Sequence, residues 1–208
     1  MKVLMINGSS HGKGCTFTAL NEVAVQLEKE GVESEIINLG GDPVRDCIGC
    51  RKCFELDCRC VFDDDMINGI IEKAKTSDGF VFGTPVYYAH PTGRVLSVLN
   101  RAFYAGGAAF ARKPGASVIS ARRAGTTASF DVMNKYFSIM QMPIVTSSYW
   151  NMVHGNTPDE VRQDLEGKQT MRNLARNMAW MLKCIEAGKK TGVSVSRSEM
   201  KDRTNFIR

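Results

Sequence analysis

Lys2-Val3-Leu4-Met5-Ile6-Asn7 runs straight into Gly8-Ser9-Ser10-His11-Gly12-Lys13-Gly14-Cys15-Thr16, an apolar run that breaks into a loop of small and hydroxyl residues. A short apolar run stopped by glycine reads as a buried strand. Beyond the loop, Leu20, Val23, Ala24 and Leu27 recur at helical spacing, and Gly31 is a stop. Strand, small-residue loop and helix open a βαβ unit. The loop has its own chemistry. Small residues let backbone N–H groups converge on an anion, and the helix N-terminus adds its positive dipole. Ser9, Ser10 and Thr16 supply hydroxyl donors. The Gly-Lys-Ser/Thr ending of a Walker A loop is missing, and no G-x-G-x-x-G stands in its usual place after the strand. A single phosphomonoester fits better than a pyrophosphate. Without a ligand the same residues make a plain Gly-rich turn.

The pattern continues outward. Glu33 to Leu39 reads as a second strand around Ile36-Ile37. Asp63-Asp64-Asp65 offers N-caps and matching charge to a helix carrying Met66, Ile67, Ile70, Ile71 and Ala74. Gly79 to Thr84 is a third strand, stopped by Pro85, and Gly93 to Tyr104 reads as a helix. Ala116 to Ser120 is a fourth strand, Val132 to Met140 a helix, and Pro143-Ile144-Val145 a fifth strand. Thr157-Pro158-Asp159-Glu160 is a capping box with Pro in the first helical position. A stripe from Met171 to Ile185 reads as a core-facing helix ending at Gly188. Strands alternating with helices predict an α/β fold. The expected architecture is a doubly wound, five-stranded parallel sheet of order 2-1-3-4-5, with helices on both faces and ligands bound beyond the carboxyl ends of the strands.

The chain has 208 residues, enough for one domain with a sizeable core. Its 43% hydrophobic and 24% charged residues are ordinary globular usage, which sets disorder aside. No apolar run approaches the length of a membrane span, and the N-terminus does not read as a signal peptide. A cytoplasmic location is expected. Net charge is +5, but Lys189 to Arg208 holds six basic and two acidic residues, so the other residues sum to only +1. The expected division is a body over 1–188, with a Cys-rich insertion at 45–62, and a basic tail over 189–208. A nearly neutral body argues against nucleic acid as a partner.

Two further loops follow strand ends. Pro85-Val86-Tyr87-Tyr88 places adjacent tyrosines before a second proline, Pro91, as a stiff platform for a flat ring. Ala121-Arg122-Arg123-Ala124-Gly125 offers cationic and backbone donors to the polar edge of such a ring. One tyrosine packed on its own helix and an exposed arginine pair are the plain alternatives. Together the three loops resemble those of the flavodoxin-like NAD(P)H-dependent FMN reductases, and among them the iron–sulfur flavoprotein group, over about Lys2 to Gly188. The resemblance implies that Ser9, Ser10, His11, Gly14, Cys15 and Thr16 border the FMN phosphate. It further implies that Pro85, Val86, Tyr87 and Tyr88 border the isoalloxazine, and that Ala121, Arg122, Arg123 and Gly125 reach its polar edge. Family loops often read G-S-P-R-x-x-G-N-T. Here Ser10, His11 and Cys15 replace Pro, Arg and Asn, and Lys13 is the candidate substitute cation.

Five of the seven cysteines lie between Cys47 and Cys60. Cys47-x2-Cys50-x2-Cys53 matches the start of ferredoxin-type ligation, and thiolates at this density favour a soft metal or an iron–sulfur cluster. The resemblance implies a compact run with Cys60 as the fourth ligand; Cys58 gives a shorter allowed gap. A [4Fe–4S] cluster, free or redox thiols, and zinc remain open. Cys184, beside the last apolar stripe, reads as a small buried hydrophobe. His90 and His154 carry no acid–base signature, and Tyr149-Trp150 reads as lying beyond the fifth strand. Three functions compete. The leading one is an FMN oxidoreductase passing electrons from NAD(P)H to a small acceptor such as a quinone, a nitro or azo compound, or a flavin. The others are electron transfer from ferredoxin through a cluster, and a thiol-based redox sensor without turnover. The resemblance also implies a homodimer or homotetramer.

Overall fold

The computed structural model describes residues 1–199 together with 202 and 204. Lys201, Arg203 and Arg208 of the expected basic tail lie outside the described residues. In chain order the elements are β1 (Lys2–Asn7), α1 (Cys15–Lys29), β2 (Glu33–Asn38), a one-turn 3-10 helix (Lys52–Phe54), α2 (Ile67–Lys75), β3 (Gly79–Tyr87), β4 (His90–Pro91), α3 (Gly93–Phe110), β5 (Gly115–Ala121), α4 (Thr126–Ile139), β6 (Met152–His154), α5 (Pro158–Gln163) and α6 (Leu165–Lys190). The sheet runs β2-β1-β3-β5-β6, with every neighbouring pair parallel. With the two-residue β4 set aside, this is the expected 2-1-3-4-5 order.

The apolar runs of β1 and β3 follow from cover on both faces. Successive side chains point to opposite sides of a strand. Leu4, Ile6, Phe80, Phe82 and Ile119 therefore pack with α2, α3 and α4. Val3, Met5, Val81, Ala116 and Val118 pack with α1 and α6. Phe82 and Phe110 on the first side enclose Phe103, whose ring centroid lies 4.6 Å from that of Phe110.

Several details depart from the sequence reading. Pro85 does not stop β3, which continues to Tyr87. The β1 pairing ends at Asn7↔Gly83, so Pro85 is paired only with β5, at Ser120, and its missing N–H removes nothing from the ladder. The strand then turns back through Tyr88 into β4.

Pro143–Val145 makes only a bridge to the start of β5, through Gly115. The fifth strand proper is β6, which pairs with Ile119–Ala121. The chain between them leaves the sheet edge and returns. Tyr149 and Trp150 sit on that excursion, half-exposed and in contact with each other, and not beyond the end of a strand.

The Asp63-Asp64-Asp65 run provides one backbone cap, from Asp65 to the Ile67 N–H. Its carboxylates mainly face cations: Asp63 pairs with Arg59, Asp64 with Arg45 and Asp65 with Arg101. The C-terminal segment is broken at Asp164, which accepts from the N–H of Gly167 at 2.9 Å and caps α6 separately from α5. That helix runs two residues past Gly188. Cys184 is exposed on its outer face and is not a buried hydrophobe.

Candidate functional site

The three loops expected to bind cofactor come together at the carboxyl edge of the sheet, joined by their own side chains. The Gly8 N–H donates to the Gly83 carbonyl at 2.8 Å, and the Thr92 hydroxyl donates to the Gly8 carbonyl at 3.0 Å. Ser10 Oγ and the Tyr87 hydroxyl share a hydrogen bond of 3.0 Å, which ties the first loop to the second. Thr16 Oγ1 and Ser120 Oγ share one of 2.8 Å, buried, which ties the first to the third. Ser9, which is buried, accepts from the His11 N–H through its Oγ at 3.1 Å, a bond that does not use its own proton. Tyr88 stands wholly in solvent at the hairpin tip, with φ +63°. Arg122, Arg123, His11 and Lys13 are exposed, and none of the four forms an ion pair among the described residues.

The helix termini at this edge differ in how they are capped. Thr92, Thr157 and Asp164 cap α3, α5 and α6 through side-chain oxygens. The helices that open from the first and third loops begin at Gly14 and Gly125 and have no side-chain cap. The opening amides of α1 and α4 lack the partner a capping side chain would give. Two uncapped helices at one edge, beside hydroxyl groups, fit the phosphate and the electron-rich ring edge of FMN. Cys15, the first residue of α1, is half-buried, and burial raises its thiol pKa above the ordinary value.

A second cluster lies against α3. Cys47, Cys50, Cys53 and Cys60 line one recess open to solvent, together with Phe62, Arg101 and Tyr104. Cys58 is outside it, exposed on a residue with φ +62°. Burial raises the pKa of the Cys53 thiol, and the neighbouring Cys50, Cys47 and Cys60 add to the effect. One face of α3 anchors the loop. Arg94 donates to the carbonyls of Gly41 and Asp42, Asn100 donates to Asp46, and Tyr104 packs against Phe54 at 5.6 Å. Asn68 of α2 accepts from the Cys60 N–H at 2.8 Å and donates back to the carbonyls of Cys60 and Phe62 at 3.1 Å.

Arg101 is 1% exposed, and its Nε donates to Cys60 Sγ at 3.2 Å. Burial alone would lower its pKa; the hydrogen bonds to Asp65 and Cys60 outweigh that and leave it raised. Sequence reasoning missed Asn68 and Arg101, because a polar residue inside a helix reads as solvated. The one available signal was the triple aspartate, too acidic for a cap alone.

Among the described residues, no three His, Cys, Asp or Glu side chains stand close enough to share one metal ion. Cys47, Cys50, Cys53 and Cys60 share one recess, and thiolates are the ligands that an iron–sulfur cluster takes.

A parallel doubly wound sheet covered by helices on both faces, with the site at its carboxyl edge, defines a flavodoxin-like protein. The chain belongs to the NADPH-dependent FMN reductase family, whose family model matches residues 1–157. It is 29% identical over 194 residues to an iron–sulfur flavoprotein of Methanocaldococcus jannaschii, covering 89% of this chain and 100% of that protein. It is 28% identical over 192 residues to the iron–sulfur flavoprotein of Methanosarcina thermophila, covering 89% and 97%. Among solved structures, RosB matches with a TM-score of 0.67 at 14% identity, over 100% of this chain and 94% of that one. An archaeal flavodoxin matches with a TM-score of 0.58 at 14% identity, over 88% and 99%.

Proposed function

We propose that this protein is an FMN oxidoreductase that carries a [4Fe–4S] cluster on Cys47, Cys50, Cys53 and Cys60 and relays electrons between cluster and flavin. The reading rests on one observation: these four cysteines line a single recess, and Cys58 does not. Flavin exchanges electrons singly or in pairs and the cluster exchanges them singly, and the protein supplies position and electrostatics. Ser9, Ser10, His11, Gly14, Cys15 and Thr16 hold the phosphate, mainly through backbone amides at the start of α1. Pro85, Val86, Tyr87 and Tyr88 border the ring. Ala121, Arg122, Arg123 and Gly125 offer positive charge and amides to its polar edge, favouring the reduced, more negative flavin. The donor in this reading is reduced ferredoxin or a nicotinamide nucleotide, the protein works in the reducing cytoplasm, and the acceptor is a small molecule.

The visible spectrum and the iron and sulfide content of protein purified without oxygen test the cluster. A flavin spectrum over a broad iron–sulfur background, with about four irons per chain, is expected. A clean flavin spectrum with no iron retained on anaerobic reconstitution overturns it. The second reading is a direct NADPH-dependent reductase with free thiols, favoured by the family model over residues 1–157. NADPH turnover by iron-free protein at the rate of the loaded protein selects it.

A further inference from the structure

The interior of α3 holds a buried cation that the flavin chemistry does not use. Arg101 is 1% exposed, yet every polar direction of its guanidinium is occupied. Nε donates to Cys60 Sγ at 3.2 Å. Nη1 donates to the Arg45 carbonyl at 3.2 Å and to Asp65. Nη2 donates to the Phe62 carbonyl and to Asp65 Oδ1, each at 3.3 Å. These acceptors lie on both flanks of the cysteine run, so one side chain ties its two ends together.

We propose that Arg101 is the positioning residue of the four-cysteine site: it sets Cys60 as the fourth thiolate, and its charge, balanced by Asp65, raises the reduction potential of the cluster. The proposal rests on the cluster reading above. Desolvating a guanidinium is costly unless opposite charge and hydrogen bonds repay it. Asp65 supplies one negative charge, and the one remaining side-chain acceptor is a cysteine sulfur. Reducing a cluster adds an electron to a group already negative. A cation and an N–H donor at a ligand sulfur both favour that added charge. Arginine's planar fork is what lets one side chain reach Cys60, Asp65 and two carbonyls together. Among the described residues, Cys60 is the one cysteine of the run whose sulfur accepts a hydrogen bond.

The test is a pair of variants in the FMN-loaded, anaerobically reconstituted protein, read by redox titration of the cluster beside iron and FMN content. Arg101→Gln removes the charge and the short donor to sulfur, so its potential is expected to fall. Asp65→Asn leaves the arginine less neutralised, so its potential is expected to rise. Shifts of opposite sign are the signature of charge, because a merely loosened loop moves both variants the same way. Shifts of the same sign, or no shift in either, overturn the proposal. Should Arg101→Gln fail to take up a cluster, Asp65→Asn decides alone, and an unshifted or lowered potential overturns it. A wild-type protein that takes up no iron removes the cluster reading and this inference together. A loaded wild type with unshifted variants removes the inference alone.

Discussion

Cys58 and Cys60 are two residues apart and differ in their surroundings: Cys60 lines the recess shared with Cys47, Cys50 and Cys53, and Cys58 does not. Cys60 has its N–H held by Asn68 and its sulfur held by Arg101. Cys58 is exposed in a left-handed conformation that costs an L-residue about 1–2 kcal/mol. Cys60→Ser is therefore expected to lose most of the iron found in the wild type. Cys58→Gly is expected to keep it and to raise stability by up to about 1 kcal/mol. Iron and sulfide per chain, with a urea midpoint for each variant, check both, and equal iron in the two variants is the contrary result. Gly125 is the corresponding residue in the flavin edge. Its φ is +90°, and a Cβ there would lie 2.7 Å from Val86 Cγ1. Gly125→Ala should cost about 1–3 kcal/mol and, with Val86 bordering the flavin as proposed, weaken FMN binding several-fold. Fluorescence titration with FMN and chemical unfolding read the two effects separately; unchanged FMN affinity would detach Gly125 from the site.

Elements are joined by the side chains that face across them. Glu35 of β2 pairs with Lys2 of β1 and Lys73 of α2, at the sheet edge away from the flavin loops. The hydrogen bond from Lys2, and after it that from Lys73, lowers the Glu35 pKa below the ordinary carboxylate value. A carboxylate lowered in the folded state stabilises above its unfolded pKa, and that stability is lost as pH falls through the folded value. Wild type and Glu35→Gln should differ in urea midpoint at neutral pH and converge in acid. A difference that is constant with pH would mean that the carboxylate charge is not what matters. α3 shows why one helix can serve two purposes. Val95, Val98, Leu99 and Ala102 enter the core, while Arg94, Asn100, Arg101 and Tyr104 hold the cysteine loop.

At the scale of the whole molecule, the sheet presents an open rim. Tyr88 is fully exposed there, and Tyr149 and Trp150 form a half-exposed aromatic pair on the edge excursion before β6. Aromatic residues left outside a well-packed core are typical of protein interfaces. The protein is therefore expected to be a homodimer or homotetramer in solution, with flavin fluorescence quenched on assembly. Light scattering checks the mass, and a 23.0 kDa particle at all concentrations would refute it. No helix among the described residues is long and apolar enough to cross a membrane.

The order of the sheet, the three loops at its carboxyl edge and the cysteine run were legible in the chain alone, because period, small-residue turns and thiol spacing are local signals. Leu4 and Val3 point to opposite cores, as the apolar run of a doubly covered strand requires. Pro85 shows where local reading ends. Proline stops a strand unless its missing N–H faces an unpaired side, and only the point where β1 stops decides that. The same holds for the split last strand, for Asp65 as a partner of Arg101 rather than only a cap, and for Cys60 over Cys58. Each depends on which distant group arrives alongside, so the residue types were set by the sequence and their pairings by tertiary packing.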